Sequence, residues 1–457
     1  MENNTLLHET DLAPSALAQA MLNQHVADNV ETLNHLDLDR AAPVLAALPV
    51  ERAVEILDQP EFAAGPAIIA SLPPPHAAAL LNAMSADRAA DIVRLLPDDS
   101  RPVVLAVLDD ESRNAIQRLL VYPEDTAGSL MTTEYVSVPS SYTVGQTLEH
   151  IRHVERTRET VYAIYVLEPN SKRLVQMVTL RRLISAEPAA PILSAARESK
   201  PITVSPQTDR EEVGRLFRKY DLLAVPVVDH FGHVLGIVTV DDAIDAILQE
   251  GSEDVQKFGG MEAIDKPYLQ IGFGSMIRKR AGWLCALFLS EMLTASAMQS
   301  FESELEKALV LTLFVPLIMS SGGNSGSQAT SLLIRALALQ ELRLRDWWRV
   351  ALRELPTGIV LGAILGVIGM VRITLWQKLG LYDYGPFWPL VALTVGSALV
   401  GIVTFGSMAG SMLPFILKRL GFDPASASAP FVATLVDVTG LVIYFSVALT
   451  ILHGTLL

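Results

Sequence analysis

Asp437 is the residue of this sequence that most demands a chemical reason. It lies in FVATLVDVTGLVIYF (431–445), with seven or more apolar or small residues on either side. A carboxylate at such depth is costly unless it faces water or a partner, and no basic residue stands in the same stretch to neutralise it. A carboxylate lining a cation path is the leading reading, and a structural hydrogen bond is the alternative. Glu291, in an earlier apolar stretch, raises the same question without a motif around it. The second unusual string is PLIMSSGGNSGSQAT (316–330), where Pro316, Gly322, Gly323 and Gly326 predict an interrupted membrane helix. Free backbone groups at membrane depth survive only where protein or a water-filled cavity satisfies them. Close packing through small residues is the competing explanation; Asn324 and Gln328 shift the balance toward a polar path. A third set is acidic: Asp87 and Asp91, four apart on one helical face, repel each other unless a cation intervenes.

Asp437 and the glycine-rich string require a membrane around them. From Trp283 onward the chain becomes long apolar stretches rich in Gly, Ala, Ser and Thr. Five of these reach the roughly 20 apolar residues that a hydrocarbon core demands, near 281–301, 308–334, 356–376, 388–414 and 430–453. With the N-terminus inside, the cytoplasmic flanks carry Arg278, Lys279, Arg280, Arg335, Arg343, Arg345, Arg349, Arg353, Lys418 and Arg419. The outer side carries Lys307, Lys378 and, near the end of the third span, Arg372. The positive-inside rule then predicts a multi-pass protein of the cell (inner) membrane, in contact with lipid, with a cytoplasmic N-terminus and an extracytoplasmic C-terminus.

The first half has another character, although the whole chain of 457 residues has a mean hydropathy of +0.35. Its start, MENNTLLHETDLAPS, shows no basic region followed by an apolar core, so no secretory signal is expected and this half stays cytoplasmic. Residues 1–130 hold 20 Asp and Glu against seven basic residues, all Arg, a balance of −13 within a net charge of −15. Such a surface repels nucleic acid and attracts multivalent cations; plain solubility is the competing explanation. The single cysteine, Cys285, excludes an intrachain disulfide framework or a Cys-based metal site. Leu48-Pro49, Leu72-Pro73 and Leu96-Pro97 recur every 24 residues with short helical patterns between them. Each proline ends one helix and admits another, which predicts paired helices stacked into a solenoid. Beyond a linker at 122–136, VYAIYVLEPNSKRLVQMVTLRRLI (161–184) aligns with LLAVPVVDHFGHVLGIVTVDDAI (222–244). Both read as strand, turn, strand and helix, each after a strand and an amphipathic helix such as EEVGRLFRKY (211–220). There is no GxxxxGK[ST] loop and no His-rich zinc motif, so nothing points to a hydrolase or another enzyme.

The α/β tandem resembles a pair of CBS domains. That resemblance implies an adenine-nucleotide pocket at Gly236, Thr239 and Asp242 of the second repeat, with ATP as its ligand; the first repeat has Gln176 for the glycine and Arg182 for the aspartate. In order along the chain, the solenoid, the CBS pair and the five spans resemble the MgtE family of magnesium channels. YPEDTAGSLMT, PLIMSSGGNSGSQAT and LPFILKRLGFDPASASAPFVATLVDVTG (413–440) are the most specific strings. The fold it implies is multidomain: an α-helical solenoid N-domain (1–130), α/β tandem CBS domains (131–249, as 131–190 and 198–249), a connecting helix (250–277) and an all-α five-span transmembrane domain (278–457). The resemblance further implies a homodimer with one pore lined by the second and fifth spans, where Asp437 from each subunit binds hydrated Mg²⁺ and Ala433 lies one turn away on the same face. It implies regulatory Mg²⁺ held by Glu250, Glu253 and Asp254 of the connecting helix together with Asp242, Asp245, Asp209, Glu211, Asp221, Asp87 and Asp91. Mg²⁺ would then close the pore when intracellular Mg²⁺ is high. A CBS-regulated secondary cation transporter or exchanger for divalent metals is the alternative, since Asp437 could equally carry protons or Na⁺ in exchange.

Overall fold

The structure is a computed structural model that describes residues 12–59, 61–155, 158–264, 268 and 271–456. The start of the chain and part of the expected connecting segment (265–267 and 269–270) lie outside the described residues. The chain divides into two compact units, Met1–Glu250 and Gly251–Leu457.

Among the described residues the first unit begins with nine short helices: α1 (Pro14–Met21), α2 (Val26–Asn34), α3 (Leu38–Ala47), α4 (Val50–Leu57), α5 (Gly65–Ser71), α6 (Pro74–Ala83), α7 (Ala86–Leu95), α8 (Ser100–Val107) and α9 (Asp110–Leu119). The repeated Leu-Pro pairs act as their punctuation. Leu48, Leu72 and Leu96 each end a helix in extended conformation, as expected of a residue that proline pushes out of the α region. Pro49 and Pro73 then cap the next helix, where a missing N–H costs nothing. Each helix packs on the next but one, α3 on α5, α4 on α6, α5 on α7 and α6 on α8, so every 24-residue unit contributes two helices to a stack. Leu33, Leu45, Ile56, Leu57, Ile68 and Ile69 are fully buried inside it.

A single turn of helix, α10 (Ala127–Leu130), leads into the α/β tandem. The first repeat holds β1 (Tyr135–Pro139), α11 (Val144–Val154), β2 (Thr160–Leu167), β3 (Leu174–Thr179) and α12 (Leu180–Ser185). The second holds α13 (Arg210–Tyr220), β4 (Ala224–Val228), β5 (Val234–Thr239) and α14 (Val240–Phe258). β1 runs parallel to β2 and β2 antiparallel to β3; Val204 bridges Val227 in the parallel sense, taking in the second repeat the place of β1. The registers establish the equivalence of the repeats. Ala163 faces Thr179 and Val166 faces Gln176 in the first hairpin; Ala224 faces Thr239 and Val227 faces Gly236 in the second. Gln176 is therefore the counterpart of Gly236, Thr179 of Thr239 and, three residues on, Arg182 of Asp242. The solenoid core runs on into the second repeat, where Val204, Val213, Phe217, Val225 and Val238 belong to the same buried cluster.

Among the described residues the expected connecting segment begins as a continuation of the second repeat: α14 runs unbroken through Glu250, Glu253 and Asp254, with no proline between 240 and 258, and it stops at Gly259-Gly260, where Gly260 adopts φ +76°.

Among the described residues the second unit contains five helices long and apolar enough to cross a membrane. They are α15 (Phe273–Ser300), α17 (Val315–Ala338), α18 (Trp347–Lys378), α19 (Trp388–Arg419) and α20 (Ala429–Leu452), with the short α16 (Glu302–Lys307) after the first. The third begins nine residues earlier than hydropathy suggests, at Trp347 against an expected 356, because Pro356 sits inside the helix without ending it.

Candidate ion path and acidic cluster

The expected interruption of the second span is not there. α17 runs without a break from Val315 to Ala338, and Pro316 lies in its first turn, which tolerates proline. The irregular backbone comes earlier, as a 3₁₀ turn over Leu309–Phe314. The glycines serve close packing instead. A Cβ on Gly322 would lie 2.6 Å from Ile402 Cγ2 and 2.7 Å from Val436 Cγ1. From the opposite helix, a Cβ on Gly410 would lie 2.1 Å from the carbonyl oxygen of Gly326, and one on Gly406 would lie 2.4 Å from that of Gly322. α17 and α19 thus meet backbone to backbone. Hydroxyls seal the seam: Ser325 and Ser407 are 2.7 Å apart, and Thr330 donates to the carbonyl of Gly410 at 2.9 Å. Small residues and interhelical hydrogen bonds are what hold helices together where lipid removes the hydrophobic drive.

The polar residues of the same helix do something different. Ser320, Asn324 and Gln328, four residues apart, share one face and are exposed in the single chain, with Asn324 Nδ2 3.4 Å from Ser320 Oγ. Lipid offers such a stripe no hydrogen bonds. One edge of α17 reaches α20 where Gly323 meets Ala433, at 3.4 Å for an added Cβ. One turn on from Ala433 lies Asp437, half-buried. Glu291 of α15 acts on it electrostatically, and among the described residues no basic side chain pairs with it. Two carboxylates and an amide-bearing stripe, without a cation of the protein's own, make a place that draws a cation.

In the first unit a second acidic group gathers between the solenoid and the CBS pair. Asp58, at the end of α4, and Asp87 of α7 interact with Glu134, ahead of β1, and with Glu159, ahead of β2; Asp87 also acts on Asp242 of α14 and on its neighbour Asp91, which pairs with Arg94 at 3.2 Å. Burial, reinforced by these like charges, raises Asp58 and Asp91 to about 6 and Glu159 and Asp242 to about 7. Burial raises Asp87 and Glu134 as well, and also Asp245, which feels Glu61 and Asp241. Arg88 offsets part of this at Asp58, Asp91 and Asp245, although its guanidinium is already bonded to the carbonyls of Leu57 and Gln59. Oδ1 of Asp58 and Oδ1 of Asp87 are enclosed without a hydrogen-bond partner. Among the described residues no three acidic, histidine or cysteine side chains form a ready coordination sphere. A cation here would act by neutralising repelling carboxylates, with its own water completing the shell.

Asp58, Glu134 and Glu159 escape sequence reasoning because isolated acids so far apart carry no motif. Of the residues expected to bind metal, Asp87 interacts with both Asp91 and Asp242, while among the acids Asp245 is linked to them only through Asp241. Asp209, Glu211 and Asp221 do not converge on one ion: Asp209 caps the start of α13 by accepting from the Glu211 N–H at 2.8 Å, while Asp221 follows its end with φ 49°. An 11-residue helix separates the two ends, roughly 16 Å at 1.5 Å per residue. Glu250 accepts from Arg210 Nε at 2.5 Å, and the same guanidinium lies 3.3 Å from Asp125, so its charge is already neutralised. Glu253 and Asp254 belong to the second unit, where Glu253 lies 3.4 Å from Lys257 and Lys257 reaches Asp423 at 2.8 Å. A Cβ on Gly236 would lie 2.5 Å from the Thr132 carbonyl, since Thr132 and Ile237 exchange backbone hydrogen bonds across it. The Thr239 hydroxyl donates to the Asp242 carboxylate. The Thr132 carbonyl thus packs against the glycine, and the aspartate lies among other acids.

Comparison with known proteins follows the same division. Family models match residues 24–125 (MgtE intracellular N domain), 127–189 and 196–249 (CBS domain) and 315–447 (MgtE, divalent cation transporter). The magnesium transporter MgtE of Thermus thermophilus is 42% identical over 348 residues, covering 76% of this chain and 75% of the relative. That of Enterococcus faecalis is 36% identical over 338 residues, covering 74% and 72%. The crystal structure of the cytosolic domain of the Mg²⁺ channel MgtE in complex with ATP is 34% identical, with a TM-score of 0.47, and covers 50% of this chain and 93% of that one. The chain belongs to the MgtE family of divalent cation transporters.

Proposed function

We propose that this protein conducts Mg²⁺ across the cell membrane as a homodimeric channel, and that intracellular Mg²⁺ closes it by binding the acidic cluster of the cytoplasmic unit. The observation that carries the pore is the exposed stripe Ser320, Asn324 and Gln328 beside Asp437. A polar face that the chain's own helices leave uncovered needs water or a second copy against it, and a two-fold axis at that face would bring two Asp437 carboxylates together. Mg²⁺ gives up its water reluctantly, so these carboxylates bind the hydrated ion through its waters, and selection acts on charge and hydrate size. The basic flanks of the spans support a cytoplasmic N-terminus and acidic cluster and an extracytoplasmic C-terminus.

The sensor follows from the electrostatics of the cluster. Without a cation, ionising Asp87, Glu159 and Asp242 together pushes the solenoid and the CBS pair apart; a bound divalent ion removes that cost and favours the compact arrangement. Mg²⁺ must bind that arrangement more tightly than the separated one for feedback to work, and several weak acidic sites acting together make the response steep. Asp245 belongs to this sensor, while Glu250 serves structure through Arg210.

The test is recording from purified chain in planar bilayers. Unitary Mg²⁺ currents that disappear in Asp437→Ala support the channel; normal divalent currents in that variant refute the assigned path. Flux without unitary events would favour the exchanger.

A further inference from the structure

α15 turns one stripe toward the rest of its unit. Trp283, Leu287, Glu291, Thr294 and Met298, three or four residues apart, are among its less exposed positions, while Leu284, Phe288, Leu289, Met292 and Leu293 are exposed. Glu291 therefore lies half-buried on the packed side of the helix, where an apolar residue is the rule. A carboxylate in a membrane span is costly without a partner, and among the described residues no basic side chain pairs with this one.

Contacts at both ends of the helix fix its depth. The Trp283 indole donates to the Ser428 hydroxyl at 3.1 Å and its ring centroid lies 6.3 Å from that of Phe431, while Phe301 stacks on Phe445 at 4.9 Å. α15 and α20 thus run side by side in the same direction. Glu291 stands eight residues beyond Trp283 and Asp437 nine beyond Ser428. At 1.5 Å per residue these are about 12 and 13 Å, so the two carboxylates share a depth to within about one turn. Their electrostatic influence on each other agrees with that placement. Thr294, one turn beyond Glu291, is a second polar group left unmet: it is 6% exposed and its Oγ1 has no partner. Elsewhere in the unit Thr374, Thr394, Thr404 and Thr434 each donate to the carbonyl four residues back. On the side of α15 turned to α20, then, a carboxylate and a hydroxyl both lack polar partners within the chain, a cost that water or an ion must offset.

We propose that Glu291 is a specificity-determining residue of the ion path, a second carboxylate that each chain presents with Asp437 to a hydrated divalent cation. The inference rests on the reading of Asp437 as the seat of the ion. A Coulomb field acts on an ion in proportion to its charge, so an added carboxylate favours Mg²⁺ over Na⁺ more than neutral groups such as Asn324 and Gln328 do. Because both carboxylates act through the ion's water, their number, and not an inner-sphere cage, sets how firmly a divalent ion is held.

Unitary currents of the full chain in planar bilayers, with chelator on the cytoplasmic side and Mg²⁺ varied on the other, test the assignment. Glu291→Gln keeps the shape of the side chain and removes a charge from a half-buried position, so folding is not at risk. It should raise the Mg²⁺ concentration for half-maximal current by about tenfold and lower the Mg²⁺-to-Na⁺ permeability ratio by about as much, while Glu291→Asp stays within about threefold of wild type. If half-saturation and the ratio are unchanged in Glu291→Gln while Asp437→Ala is silent, the assignment of Glu291 falls and the Asp437 path stands. A lower thermal midpoint or saturating current in Glu291→Gln, with neither value moved, would equally overturn it in favour of a structural role. Wild-type currents in Asp437→Ala would instead remove the path itself, and the role of Glu291 with it.

Discussion

Asp242→Asn is the sharpest probe of the acidic cluster, because it removes one charge while keeping the side chain's shape and an oxygen to accept from Thr239. Burial first, and then Asp87, Asp241 and Glu159, raise Asp242 from 3.8 to about 7. A carboxyl raised on folding binds its proton more tightly in the folded state, so its contribution is full below the unfolded value and is lost as pH climbs from about 4 through about 7. At about 1.4 kcal/mol per tenfold change in proton affinity, holding Asp242 ionised in the folded chain costs at most about 4 kcal/mol. Solvent screening and relaxation of the neighbouring acids reduce this to about 2 kcal/mol. The Asn variant escapes that cost. In chelator-containing buffer at about pH 8 its first unit should therefore melt about 4–8 °C above the wild type, at about 2–4 °C per kcal/mol for a unit of this size. At about pH 4, where the carboxyl takes up its proton in the unfolded chain as well, the two should melt nearly together. Added Mg²⁺ should raise the wild type at about pH 8 and the variant less. Differential scanning calorimetry on the full chain would follow this transition. A variant that is less stable than wild type at both pH values, or whose advantage does not grow with pH, would refute the electrostatic account of the cluster.

Two further substitutions examine how each unit is held. Gly410→Val places side-chain atoms where even a Cβ would lie 2.1 Å from the Gly326 carbonyl and 2.8 Å from Thr330 Oγ1; overpacking of this kind costs about 1–3 kcal/mol or more, so the variant should lose monodispersity in size-exclusion chromatography while Gly421→Val, where a Cβ meets nothing, is limited to the strain of its φ of +85°. Arg210→Met leaves Glu250 without its 2.5 Å partner and Asp125 without its 3.3 Å one; it should destabilise the first unit by about 3 kcal/mol, read as a lower thermal midpoint, with partial recovery in Arg210→Met/Glu250→Gln.

Much of the architecture was legible in the sequence because it depends on local rules. The Leu-Pro pairs set the solenoid units through proline's effect on its neighbour, and period-two strands followed by helices gave both CBS repeats. Length and hydropathy marked the five spans. Asp437 stood out by cost alone, as did the pairing of Asp87 with Asp91 by helical spacing. Composition could not say whether a glycine breaks a helix or lets two helices meet. At Gly322 and Gly326 that answer lies in Ile402, Val436, Gly406 and Gly410, residues far along the chain. Nor could spacing join Asp58, Glu134 and Glu159 to Asp242, or commit Glu250 to Arg210. Electrostatic energy depends on distance and burial through space, and both are fixed only when the solenoid and the CBS pair fold together.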